Sequence, residues 1–139
     1  RGLRALPLIR WVRPDEHPKV REVAVRSHGS PSRVNYSAFP TVVADLAGRI
    51  VGYASFTLAP TEKGYVAYGI DMGVLPSHRK RGIGRELHEE RCRIARECGG
   101  VDFVGIVTPG NVAMIRILEA SGLTYQSSSD GRDFYIGPL

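Results

Sequence analysis

The sequence predicts an α/β domain with a mixed central β-sheet of about six to seven strands flanked by helices. Three observations carry that expectation. The 139 residues suit a single core, large enough to bury roughly 70% of the surface that the unfolded chain exposes. Strand-type and helix-type hydrophobic periods follow one another as strand, helix, three strands, helix, strand, helix, two strands. Glycine, proline and asparagine mark the boundaries, and no repeat or low-complexity segment interrupts the series. One domain over residues 1–139 is expected, with residues 1–6 as a flexible stub.

Taken in order, "PLIRWVR" before "PDEHP" reads as a short first strand ending at a turn. "HPKVREVAVRSHGS" places Val20, Val23 and Ala24 on one side of a short helix stopped at Gly29, and Ser30 to Ala38 is loop-like. Two β-rich runs, Thr41 to Leu46 and Arg49 to Leu58, meet at Ala47-Gly48 and predict a hairpin. A polar turn, "APTEKG", leads to a third run, Tyr65 to Leu75, in which Gly73 marks a bulge or a close backbone approach. The next helix carries Ile83, Leu87, Ile94 and Cys98 on one stripe and stops at "ECGG". "VDFVGIVTP" suits a buried, parallel strand. Asn111 caps a helix with Val112, Ile115 and Leu118 at helical spacing, and "LTYQSSSDGRDFYIG" forms two strands around Asp130-Gly131.

Composition narrows the function classes. With 42% hydrophobic and 24% charged residues, and apolar runs too short to cross a bilayer, the chain reads as soluble and cytoplasmic. "RGLRALPLIRW" lacks the apolar stretch of a signal peptide, so a processed start is expected rather than secretion. Cys92 and Cys98, six apart on one helix, point about 240° from each other, which suits neither a disulfide nor a zinc pair. The four histidines show no metal-ligand spacing, and no metal is expected. The net charge of +5 comes from residues 1–33, which hold eight Lys/Arg against three Asp/Glu, and the aromatics are not interleaved with it. That pattern disfavours nucleic acid as a partner.

The chemistry lies in "VLPSHRKRGIGREL", Val74 to Leu87. A strand, a basic glycine loop and a helix start direct several backbone N–H groups and the positive helix end at one spot, which suits an anion such as phosphate. Gly82 and Gly84 carry no Cβ to block a ligand's approach, while Arg79, Lys80, Arg81 and Arg85 add attraction at longer range. The segment has neither the G-K-S/T of a P-loop nor the third glycine of a dinucleotide fingerprint, where Leu87 stands.

Longer still, "VLPSHRKRGIGRELHEE" resembles the signature of the GNAT superfamily of acyl-CoA-dependent N-acetyltransferases, whose pattern Q/R-x-x-G-x-G/A is met by Arg79, Gly82 and Gly84. "NVAMIRILEASGL" is similar to the family's N-x-x-A-x-x-x-Y-x-x-x-G-F segment, and the element order from Leu8 to Ile136 follows the family's. The resemblance implies a GNAT fold with a splayed strand pair forming the acyl-CoA slot, and acetyl-CoA as acyl donor. By it, the amides of Arg81, Gly82, Ile83, Gly84 and Arg85 receive the pyrophosphate of coenzyme A, with Arg79 and Lys80 beside them. The strand holding Met72 and Val74 pairs with the pantetheine arm, a bulge near Gly73 opens the slot, and Asn111 helps bind the arm or simply caps its helix.

The implied reaction moves an acetyl group to a primary amine of a small-molecule or peptide acceptor by direct attack. An alkylammonium has a pKa of about 10.4, so a base must take its proton. Asp71, the sole carboxylate of "YVAYGIDMGVL", is the candidate, and the Val74 N–H is the candidate donor to the thioester oxygen. Many relatives carry a tyrosine acid seven residues after the Asn111 position, where this chain has Leu118, so a catalytically weak acyl-CoA-binding or regulatory module is the alternative. Tyr36, Tyr65 and Tyr68 are candidates to line the acceptor slot, whose walls are expected from Ser30 to Ala38, Ala59 to Gly64 and the last hairpin. His88 is expected on the surface of its helix, half-buried, and His78 in a solvated turn. The basic excess disfavours a polycationic acceptor, and a homodimer through the terminal strands is left open.

Overall fold

The computed structural model describes residues 6–29 and 38–139. The stub at 1–6 and the loop from Ser30 to Ala38 therefore lie, apart from Leu6 and Ala38, outside the described residues, as does Tyr36. Among the described residues, seven strands form one sheet in the order β1-β2-β3-β4-β5-β7-β6. They are β1 (Leu8–Trp11), β2 (Thr41–Leu46), β3 (Arg49–Thr61), β4 (Gly64–Val74), β5 (Gly100–Val107), β6 (Thr124–Ser129) and β7 (Arg132–Pro138). Three helices, α1 (His17–His28), α2 (Ile83–Glu97) and α3 (Val112–Ala120), flank it. This is the mixed α/β architecture that the order of periods predicts.

Local chemistry explains the boundaries. Gly29 adopts φ 74° and donates its amide to the Val25 carbonyl at 2.8 Å, which ends α1. Ala47 and Gly48, at φ 52° and 90°, make the tight turn between β2 and β3. The turn expected over Ala59 to Gly64 is shorter than its polar composition suggests. The Thr61 hydroxyl donates to the Gly64 carbonyl at 2.6 Å and pins the hairpin at Glu62-Lys63, so β3 and β4 stay paired out to Thr61 and Gly64.

One apolar face of α2 covers β2, β3 and β4. Ile83, Leu87 and Ile94 are buried as their spacing predicts, whereas Cys98 falls one residue past the helix end and is exposed. In α3, Leu118 is fully buried and Ile115 partly so, but Val112 stands 54% exposed in the first turn. The α1 face of the sheet is held by Val20, Val23 and Ala24.

Two irregularities of β4 shape the site. Its parallel pairing with β5 covers only Tyr65 to Tyr68. Beyond that point β5 continues to Val107 along β7 and β4 continues to Val74 along β3, so the two strands part into a fork. A bulge lies just past the parting: Ser55 of β3 faces Asp71 and Phe56 faces Gly69, which leaves Ile70 as the extra residue. The bulge is therefore not at Gly73, which pairs in regular register with Tyr53. A Cβ on Gly73 would lie 2.8 Å from Ser27 Oγ, so glycine is needed there for the close passage of the last turn of α1.

Candidate active site

The loop between β4 and α2 has the geometry of an anion cradle. Pro76 to His78 form a single 3-10 turn, then Lys80 takes φ 63° and Gly82 φ 83° before the helix begins. Alternating left-handed residues turn successive amides toward one side. Glu86 N–H is the first to bond back into the helix, to the Gly82 carbonyl at 3.0 Å. Among the described residues, the amides of Arg81, Gly82, Ile83, Gly84 and Arg85 have no acceptor. No carboxylate pairs with Lys80, Arg81 or Arg85 among these residues.

The two glycines do different work. A Cβ on Gly82 would meet nothing within 4 Å, so that position is open to a ligand. A Cβ on Gly84 would lie 3.1 Å from Ile117 Cδ1 and close to Met72 and Val74, so Gly84 lets α3 approach α2. Arg79 is committed to the protein: its Nε donates to the Val74 carbonyl at 3.2 Å and one terminal nitrogen to the Ser27 carbonyl at 2.7 Å. It ties the end of β4 to the end of α1. His78 hydrogen-bonds the neighbouring Ser77 hydroxyl through Nδ1 at 2.8 Å.

The open edge of β4 follows from its register. Leu75 N–H donates to the Val51 carbonyl at 2.8 Å, and alternation then directs the amides of Gly73 and Asp71 to β3 and those of Val74 and Met72 into the fork. The Val74 amide has no acceptor among the described residues. The Met72 amide is occupied, donating to Asp71 Oδ1 at 2.9 Å.

Asp71 lies on the α1 face just past the bulge. Its Oδ2 accepts from the Tyr53 hydroxyl at 2.7 Å, and Oδ1 lies 3.2 Å from Nε2 of His28. Nε2 of His28 is also 3.0 Å from Tyr53 Oη. The Asp71 carboxylate holds the His28 imidazole above its ordinary pKa, against partial burial and the charge of Arg79. Nothing in the sequence spacing links His28, Tyr53 and Asp71; their meeting depends on α1 ending over β3 and β4.

A second missed group is Arg91, whose guanidinium sits beneath the fork. It is 1% exposed, its NH1 donates to the Ser55 carbonyl at 3.1 Å, and its Cζ lies 5.0 Å from the Phe103 ring centre. A Cβ on Gly69 would be 3.1 Å from both terminal nitrogens. Arg91 therefore fills the space beside the bulge and stacks on Phe103, in the stretch of β5 still paired with β4. Burial lowers its pKa to about 10, which still leaves it charged at neutral pH. The signal was available: Arg91 continues the stripe of Ile83 and Leu87 at i+4 spacing.

His88 is not a surface residue. It is fully buried, accepting from Arg91 Nε at Nδ1 and reaching Ser121 Oγ at 2.9 Å through Nε2. Two polar partners, Arg91 on the same helix and Ser121 at the end of α3, make burial of an imidazole tolerable. Asn111 caps α3 by accepting from the Met114 amide at 3.2 Å. Leu118 packs over Gly105, where a Cβ would come within 2.7 Å of it, so it belongs to the core rather than the fork. Tyr65 and Tyr68 lie on the paired stretch of β4, before the fork opens.

A strand fork beside an anion cradle, on a sheet of this order, defines an acyl-CoA acetyltransferase fold. The chain belongs to the acetyltransferase (GNAT) family, whose model matches residues 6–123. It is similar to an L-methionine sulfoximine/L-methionine sulfone acetyltransferase of Salmonella typhimurium, 32% identical over 88 residues. That match covers 62% of this chain and 51% of the relative, so the chain spans about half the length of the curated protein it resembles. Among solved structures, the acetyltransferase yncA of Salmonella typhimurium with acetyl-CoA matches at TM-score 0.75 and 22% identity, over 96% of this chain and 94% of that one. YhbS of Escherichia coli in complex with CoA matches at TM-score 0.78 and 18% identity, over 99% and 84%. No helix among the described residues is long and apolar enough to cross a membrane.

Proposed function

We propose that the protein is an N-acetyltransferase that moves the acetyl group of acetyl-CoA to a primary amine by direct attack. The single observation that carries this is the row of amides from Arg81 to Arg85, free of acceptors among the described residues, beside the open β4 edge. A pyrophosphate would take these donors, each charge-assisted bond contributing about 1.5 to 3 kcal/mol. Lys80, Arg81 and Arg85 add long-range attraction. The pantetheine arm would lie along β4 at Met72 and Val74, with Asn111 at its flank.

In this reading the Val74 N–H receives the charge that develops on the thioester oxygen, and the Asp71 cluster handles the amine's proton. The amine nitrogen bonds the carbonyl carbon, the carbon–sulfur bond breaks, and the thiolate, with a thiol pKa of about 8.5, leaves without an acid at Leu118. The curated relative acts on a methionine analogue, which supports a small acceptor of amino-acid type here. A peptide amine is the alternative acceptor. A non-catalytic acyl-CoA-binding module is supported by one observation, the burial of Leu118 in the core.

The test has two stages. A thermal shift with acetyl-CoA reads the cradle, and release of free thiol with a panel of amino acids, amino-acid sulfones and short peptides reads the transfer. Binding without thiol release favours the module, and the absence of both overturns the reading of the cradle.

A further inference from the structure

We infer that His28 is the group that accepts the proton from the attacking amine, and that Asp71 and Tyr53 are the residues that position it. The inference rests on the acetyl-transfer reading above. It starts from how fully Asp71 is engaged. Its carboxylate accepts from Tyr53 Oη at 2.7 Å and from the Met72 amide at 2.9 Å, and lies 3.2 Å from His28 Nε2. A carboxylate already accepting these hydrogen bonds is committed to orienting its neighbours rather than to meeting an incoming amine. The imidazole has the opposite status: its side chain is 39% exposed against 18% for Asp71.

The ring's tautomer follows from its partners. With a carboxylate oxygen at 3.2 Å and the oxygen of Tyr53, whose own proton goes to Asp71, at 3.0 Å, Nε2 carries the hydrogen. The lone pair is then on Nδ1, which has no partner among the described residues. This is the arrangement of an orienting carboxylate behind a basic imidazole. The oxygen facing Nε2 is the same Oδ1 that accepts from the Met72 amide, so the ring is joined through this carboxylate to the β4 edge that opens into the fork, with Nδ1 on the side of the ring away from Asp71.

In the step itself, the nitrogen–carbon bond forms, the carbon–sulfur bond breaks, one N–H proton passes to His28 Nδ1, and the thiolate takes a proton from solvent. The imidazolium returns its proton to solvent before the next turnover, so no other reactant is needed. Among the described residues, Tyr53 from β3, Asp71 from β4 and Arg79 from the loop face the imidazole, and Asp71 prevails in raising its proton affinity. The neutral, active form therefore accumulates only above the ordinary imidazole value of about 6.5.

Steady-state kinetics on the amine that the wild-type protein accepts, followed against pH, test this. His28→Gln should lower kcat by about 100-fold or more and remove the acid limb of the pH profile, with the acetyl-CoA thermal shift unchanged. Imidazole in the buffer should restore part of the rate to His28→Ala. Asp71→Asn should slow turnover and move the acid limb to lower pH, because the carboxylate that raises the imidazole pKa is gone. A His28→Gln protein that keeps wild-type turnover and limb overturns the role of His28 while leaving the acetyltransferase standing. A wild-type protein that binds acetyl-CoA and releases thiol with no amine overturns both.

Discussion

Arg91 Nε lies 3.0 Å from Nδ1 of His88, and because a guanidinium can only donate, this bond fixes the imidazole's tautomer. The proton of His88 sits on Nε2 and goes to Ser121 Oγ, whose own proton goes to the Leu118 carbonyl at 2.8 Å. One chain of hydrogen bonds thus runs from the bulge in β4, through α2, to the end of α3. Replacing Arg91 by Met would remove its donors from the Ser55 carbonyl and from His88 Nδ1. The expected result is a loss of about 2 to 5 kcal/mol in urea unfolding and a smaller thermal shift with acetyl-CoA.

The same bond makes stability depend on pH. Burial and the charge of Arg91 depress the His88 pKa to about 3, below the value near 6.5 in an unfolded chain. The unfolded state therefore binds the proton first: this contribution is complete above about pH 6.5 and falls by up to about 1.4 kcal/mol per unit as pH drops toward 3. His88→Gln, whose amide can accept from Arg91 and donate to Ser121, should flatten that slope in denaturation curves collected at several pH values.

A separate acid-labile contact joins β1 to the turn before α1. Arg10 donates to both oxygens of Glu16 at 2.8 Å and also to Asp45 at 3.2 Å. Its guanidinium, with the Arg13 amide, lowers the Glu16 pKa to about 2. This folded value lies below the unfolded one, so the contribution is present above about pH 4.5 and disappears as pH falls through about 2. Glu16→Gln should cost about 1 to 2 kcal/mol at neutral pH, after allowance for solvent screening, and little near pH 2.

Gly82 and Gly84 should separate binding from folding. Gly82→Val places its side chain in open space at the cradle, with about 1 to 2 kcal/mol of strain from φ 83°. It should weaken acetyl-CoA binding by about 10 to 100-fold, the equivalent of one charge-assisted hydrogen bond, by calorimetric titration. Gly84→Val drives a methyl against Ile117 and should instead lower the melting temperature, at about 1 to 3 kcal/mol.

Much of this molecule could be read from its residues. Gly29, Ala47-Gly48 and Asp130-Gly131 set boundaries because their backbone conformations are local properties, and the order of periods sufficed for the sheet's elements. What local pattern cannot reach is which groups meet across elements. Gly73 in β4 is expected to mark a bulge or a close backbone approach; it marks the approach, of Ser27 from α1, and the extra residue of the bulge is Ile70. Arg91 and His88 were hidden because buried polar side chains look, one at a time, like surface residues. His28 escaped notice because its partner Asp71 is 43 positions away, the difference of their numbers, and only the packing of α1 brings them together.

The parting of β4 from β5 has a consequence for how the backbone trades protons with solvent. Gly73 and Leu75 are locked into β3, whereas the nitrogen of Val74 between them opens onto the gap. Amide hydrogen exchange along this strand should then alternate from slow to fast to slow within three residues, a pattern expected of a sheet's outer margin yet found here at its centre.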